Sequence, residues 1–295
     1  MHKYMRAIGF SKIESRKKLQ ELLTEVVVNS DRRAIATNKD NLMLGEFCKD
    51  FAPGLGVAVC GGFDEEEKFT YEYYYPYLTG TGITSTEDIT VERHAEKDSY
   101  AGVCDDINVG ITLIFFVKDS LPYVKAQTAG KLPVVGTTLT LSGLSVQGTV
   151  IMPLYKEERQ MNTVRKNRQE RRNLLAAARQ GDEEAIETLT TEDMDTYNAI
   201  HHRARTEDIF QIVDTYFMPY GVECDQYSVL GEIVAVRMTQ NDITGEQIYV
   251  LTICCNELTF DVAINIMDLF GEPQVGRRFK GIIWLQGQIN FPENA

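Results

Sequence analysis

Leu19, Leu22, Leu23, Val26 and Val27 recur at three- and four-residue spacing, which places them on one side of a helix. Ser11 and Glu14 have capping-box spacing and Ser15 is a second cap, so the pattern predicts an amphipathic helix ending near Asn29. The texture then changes. GVAVCGGF (Gly56 to Phe63) and KFTYEYYYPYL (Lys68 to Leu78) read as two strands joined by the polar DEEE of Asp64 to Glu67. VGITLIFFV, Val109 to Val117, is a near-continuous apolar strand suited to burial on both faces. TTLTLSGLSVQGTVIM, Thr137 to Met152, alternates around Gly143 and Gly148 as two strands or one bent strand. Residues 85–97 are ambiguous: Ser85 and Asp88 have cap spacing for a helix, whereas an extended chain would put Glu92, His94 and Glu96 on one face.

From Lys156 the pattern turns helical. Lys156 to Gln180 holds eight basic and three acidic residues, and Gly181 to Asp208 holds nine acidic and two basic ones. Short connections favour antiparallel neighbours, so the basic helix is expected to lie against the acidic ones. Beyond Tyr227 the chain is β-rich again, with Asn256-Glu257 as a tight hairpin turn and RRFKGIIWLQGQINF as a last strand. Four or five strands in this length suit a small closed barrel, of oligonucleotide-binding-like or SH3-like type. The predicted class is therefore α+β: residues 1-154 as a sheet with a covering helix, 155-222 as a helical connector, and 223-295 as a small β-barrel.

Composition narrows the function classes. The 295 residues are 43% hydrophobic and 25% charged, ordinary for a globular chain, with a net charge of −13. That charge argues against non-specific nucleic-acid binding and against docking on an anionic membrane. No signal peptide or membrane-spanning segment is read, and the six scattered cysteines lack any C-x-x-C pair. The chain is expected to be cytoplasmic, with reduced thiols.

Several clusters bear on chemistry. Tyr71, Tyr73, Tyr75 and Tyr77 fall on one face of their strand, either a stacking platform or one wall of a core; the acidic flank favours the wall. Glu92, His94, Glu96, Asp105 and Asp106 offer carboxylates and an imidazole of the kind a divalent metal uses for hydrolysis. Arg165, Lys166, Arg168, Arg171 and Arg172, with Arg277, Arg278 and Lys280, form basic stretches suited to RNA or an acidic partner. Neither H-E-x-x-H nor G-x-S-x-G occurs, and GTGITST (Gly80 to Thr86) fails both the dinucleotide and P-loop patterns. No catalytic residue and no cofactor are predicted.

HKYMRAIGFS, AARQGDEEAIETLTTEDMDTY, MPYGVECDQYSVLGEI and GEPQVGRRFKGIIWLQG together resemble a full-length domain-of-unknown-function family of clostridial, anaerobic Gram-positive bacteria. The resemblance implies a bacterial, cytosolic origin and carries no activity, cofactor or site residue. The residues themselves point to a non-catalytic protein-interaction or scaffold protein with a protein partner. A metal-dependent hydrolase and an RNA-binding protein are the alternatives.

Overall fold

The computed structural model describes residues 2–13, 15–93, 99–106, 111–154, 170–171 and 173–292. It opens on a 3-10 helix, Lys3–Ile8, followed by α1, Arg16–Val28. Ser15 caps α1, its hydroxyl accepting from the Lys18 amide at 3.2 Å, while Glu14 lies outside the described residues. Leu23 and Val26 of α1 are buried, as the helical spacing requires.

β1 (Arg32–Thr37), β2 (Met43–Ala52), β3 (Leu55–Phe63) and β4 (Phe69–Leu78) form an antiparallel meander in that order. The Asp64 carboxylate accepts from the Glu66 and Lys68 amides, which turns the chain between β3 and β4. β5 (Ile89–Arg93), β6 (Tyr100–Cys104) and β7 (Leu113–Lys118) make a second meander, and α2 (Leu121–Thr128) follows. Residues 89–93 are thus strand and not helix. Their backbone pairs with β6, Ile89 opposite Cys104 and Arg93 opposite Tyr100, and that ladder outweighs the local cap signal.

β8 (Thr138–Ile151) is a single strand, with a register shift opposite Ile282 and Ile283 that accounts for the bend between its glycines. Residues 173–179 form α3, and α4 (Glu183–Arg203) and α5 (Ile209–Ile212) follow. The remaining strands are β9 (Tyr216–Pro219), β10 (Gln226–Gln240), β11 (Gln247–Cys255), β12 (Leu258–Asn265), β13 (Leu269–Phe270) and β14 (Arg278–Asn290). Four of them close a five-stranded barrel with β8, in the order β8-β12-β11-β10-β14 and back to β8. All its pairings are antiparallel except β8 with β12.

The barrel is therefore not built from 223-295 alone, because β8 comes from the stretch the sequence pattern assigned to 1-154. β8 runs against β14 along the whole of that strand, and β7 adds to the far end of β14, so the second meander is an extension of the barrel's own sheet. Two cores result. One fills the barrel and continues under β5, β6, β7 and α2; Phe260, Phe279, Ile283 and Phe115 are its large members. The other lies between the barrel's outer wall, at Leu144, Val250 and Trp284, and the N-terminal sheet with its two helices. Among the described residues no helix is long and apolar enough to cross a membrane.

Phe115 of β7 lies between two strands that each present glycine to it. A Cβ at Gly102 would come within 2.2 Å of the ring and one at Gly287 within 2.3 Å, well inside van der Waals contact. A Cβ at Gly62 would meet its nearest atoms at 3.8 Å, an ordinary contact. Gly287→Ala is expected to destabilise the protein by about 1–3 kcal/mol through overpacking, and Gly62→Ala to change stability by less than about 0.5 kcal/mol. Urea unfolding midpoints of the two variants check the contrast.

Candidate functional site

Alternation along β2, β3 and β4 puts three rows on one face of the N-terminal sheet. Glu46 is opposite Cys60 and then Tyr73; Cys48 is opposite Ala58 and then Tyr75; Asp50 is opposite Gly56 and then Tyr77. The central strand carries small residues in the last two rows, so the tyrosines reach across it. The Tyr75 hydroxyl donates to Glu46 and the Tyr77 hydroxyl to Asp50. A Cβ at Gly56 would stand 2.5 Å from the Tyr77 hydroxyl, so only glycine leaves that path open.

The β7–α2 corner covers this face. Asp119, held at a φ of 51°, donates its amide to the Tyr75 oxygen at 3.3 Å. The Arg32 guanidinium lies 3.5 Å from the Asp119 carboxylate and over the Tyr77 ring. Lys118, also buried, donates to the Leu78 carbonyl and to Ser142. Burial and the Asp119 charge push the Glu46 carboxyl up to about 7, against the pull of its Tyr75 and Cys60 hydrogen bonds. Burial and the Glu46 charge push the Cys48 and Cys60 thiols well up, and burial lowers Lys118 to about 8.

The chemistry this permits is narrow. Both thiols stay protonated and are poor nucleophiles. The hollow between Glu46, Cys60, Tyr73 and Ser120 has a volume of about 10 Å³, the room of one water. Glu46, Cys48 and Asp119 offer donor atoms within 4.8 Å of one another, the one such group of three among the described residues. Their carboxylates already accept from Tyr75, Cys60 and Arg32, and the thiol keeps its proton, so the set fits a closed hydrogen-bond network better than a cation. What the cluster offers is a carboxyl that exchanges its proton near neutrality.

The residues singled out from sequence are placed as follows. Tyr75 and Tyr77 are buried walls, Tyr73 is half-buried, and Tyr71 is 46% exposed at the sheet's outer end. Glu92 is exposed on β5 opposite Ala101. Asp105 and Asp106 lie past the other end of that hairpin, roughly 13–17 Å along the strand at its usual rise. Asp106 is buried and accepts from Ser85 at 2.6 Å. His94 and Glu96 lie outside the described residues, and the members that are described are not brought together.

Among the basic residues, Arg165, Lys166, Arg168 and Arg172 also lie outside the described set. Arg171 bonds Asp193 at 2.7 Å and Glu192 at 3.6 Å, which spends its charge on α4. Arg278 is buried and donates to the carbonyls of Phe210, Val213 and Met152, tying the helical section to the barrel. Lys280 sits 4.3 Å from the centre of the Phe210 ring, and Arg277 donates to the Glu272 carbonyl. These side chains are internal ties.

Sequence reasoning missed the Glu46–Tyr75 and Asp50–Tyr77 pairs. The usable signal was the spacing of Gly56, Ala58 and Cys60 on β3, which leaves room for tyrosines on the neighbouring strand.

α4 is different in kind. Of its 21 residues only Ala185 and Leu189 are buried. Met194 is 62% and Tyr197 69% exposed, on a helix whose other outward residues are largely acidic.

The model of a family described as "Domain of unknown function, E. rectale Gene description (DUF3881)" matches residues 5–287. No curated protein and no solved structure matches the chain.

Glu46 makes stability depend on pH. The unfolded chain releases this proton near 4.5 and the folded chain near 7, so between those values the folded state holds one more proton. The stabilisation is complete below about pH 4.5 and is lost as pH rises through 7, on the order of 3 kcal/mol in all. Glu46→Gln keeps an acceptor for Tyr75 and removes the titration. Its unfolding free energy is expected to fall less than that of the wild type between pH 5 and pH 7.5, and urea titrations across that range read the difference in slope.

Proposed function

Because the chain belongs to the DUF3881 family, whose description assigns no activity, its role has to be read from its surfaces, and we propose that it is a non-catalytic protein-interaction module that docks through α4. The observation that carries this reading is the uncovered stripe of Met194 and Tyr197, 62% and 69% exposed. On a helix Met194, Tyr197 and Ile200 stand about 60° apart in succession and Ile186 falls between them, so they share one face. Exposed large apolar residues grouped on one helical face are the anchors of helix-in-groove recognition.

The helix is held ready for that use. The Asp182 carboxylate caps its first turn by accepting from the Glu184 and Ala185 amides. Arg171 fixes one flank through Asp193 and Glu192, and Arg278 holds the following segment to the barrel. Tyr197 stacks on His201 with ring centroids 6.1 Å apart, which limits the rotamers it loses on docking. Glu183, Glu184, Glu187 and Asp195 surround the stripe, so the complementary partner surface is an apolar groove with a basic rim.

A photo-crosslinking residue placed at position 197 of the full-length protein, in cells that express it natively, is expected to capture one defined partner. A crosslinker at Val275, equally exposed but away from α4, is expected to miss it. With that partner purified, Met194→Ala and Tyr197→Ala should each weaken binding about tenfold, and added salt should weaken it further. Absence of a position-197 adduct, or affinities unmoved by both substitutions, defeats the reading.

A further inference from the structure

A second hollow lies on the opposite side of α2 from the Glu46 cluster, where the β1–β2 turn, β5, β6 and α2 meet. Its volume is about 240 Å³. A cavity of about 150 Å³ already holds a single aromatic ring, so a substituted ring fits this one. Val91, Tyr100 and Tyr123 form its apolar wall, the two rings edge to face with centroids 5.8 Å apart. Asn38, Lys39, Asp40, Arg93 and Gln127 supply the polar wall.

Asn38 decides what the polar wall can take. The residue is 5% exposed, and its side-chain oxygen accepts from the Asp40 and Leu42 amides at 2.9 and 3.0 Å. Those two donors settle which end of the amide is oxygen and leave the Nδ2 hydrogens with no acceptor among the described residues. A buried donor in that state carries a desolvation penalty that an acceptor reaching it from the hollow would return. Around it stand Lys39 and Arg93, with Asp40 3.5 Å from Arg93, so the described lining residues carry one positive charge in surplus on a chain of net charge −13. Gln127 donates to the Tyr123 hydroxyl at 3.4 Å, and burial raises Tyr123 above the ordinary phenol range, so both remain uncharged.

We infer that this hollow is a binding site for a small aromatic carboxylate, its ring on Val91, Tyr100 and Tyr123 and its carboxylate on Asn38 Nδ2, Lys39 and Arg93. The site is separate from α4 and stands or falls independently of the docking role. A carboxylate matches an orphan donor and a cationic rim together, and a ring matches an aromatic wall.

Fluorine NMR of 4-fluorobenzoate titrated with the full-length protein tests it, with 4-fluorobenzylamine as a cationic counterpart of the same shape. Benzoate is expected to bind saturably in the micromolar to millimolar range and the amine not at all. Asn38→Asp keeps both acceptor contacts of the turn while replacing the donor with a carboxylate oxygen, and should weaken benzoate binding about tenfold or more. Lys39→Glu, at an exposed position that leaves folding intact, should weaken it severalfold. Water alone in the hollow predicts no saturable binding of either probe. That result, preference for the amine, or undiminished benzoate binding in both variants overturns the inference.

Discussion

One strand, β14, is held on every side, and the rest of the molecule is arranged around that constraint. It pairs with β8 along its length, with β10 over its first half and with β7 over its last turn of ladder. Phe279, Ile283 and Leu285 point into the barrel core. The other side chains reach the remaining parts: Arg278 takes the carbonyls after α5, and Trp284 stacks on Tyr4 of the N-terminal 3-10 helix and bonds Asp225 at 2.6 Å. Gln286 accepts from the Leu78 amide and donates to the Pro76 carbonyl, which joins the barrel to the end of β4. A strand so committed has no edge to offer another chain, and its basic and aromatic residues serve internal contacts.

The same economy governs the polar face of the N-terminal sheet. Glu46 on β2 is buried against the Tyr75 hydroxyl and the Cys60 thiol, in surroundings where an unpaired charge would be costly. Glu46 answers by holding its proton to about pH 7, and the thiols beside it by staying protonated. With room for a single water at its side, this cluster is polar core. Perturbed titration marks functional sites and structural networks alike; here the volume available decides for structure.

The two proposed roles draw on surfaces that this packing leaves unspent. α4 carries six carboxylates and exposes Met194 and Tyr197, and the hollow behind α2 is lined by Asn38, whose Nδ2 has no acceptor among the described residues. The two proposals are chemically opposite, one naming a basic-rimmed protein groove as the partner and the other a small anion. Both lie away from the Glu46 cluster, so either can be altered without disturbing the buried charges.

Local order was legible in the sequence. Three- and four-residue spacing marked α1, Ser15 capped it, the Asp64 turn joined β3 to β4, and Asn256-Glu257 made the β11–β12 hairpin with both residues at positive φ. Each of these rests on contacts within a few residues, which periodicity and turn chemistry encode directly. Only the tertiary structure decided that β8 closes the barrel by a parallel pairing with β12, that residues 89–93 are strand, that Arg171 and Arg278 are internal ties, and that Asn38 Nδ2 has no acceptor among the described residues. Those outcomes depend on partners outside the local pattern, from the neighbouring strand of a hairpin to strands more than a hundred residues away. A side chain's type shows what it can bond, while the fold alone shows which of those bonds have already been made.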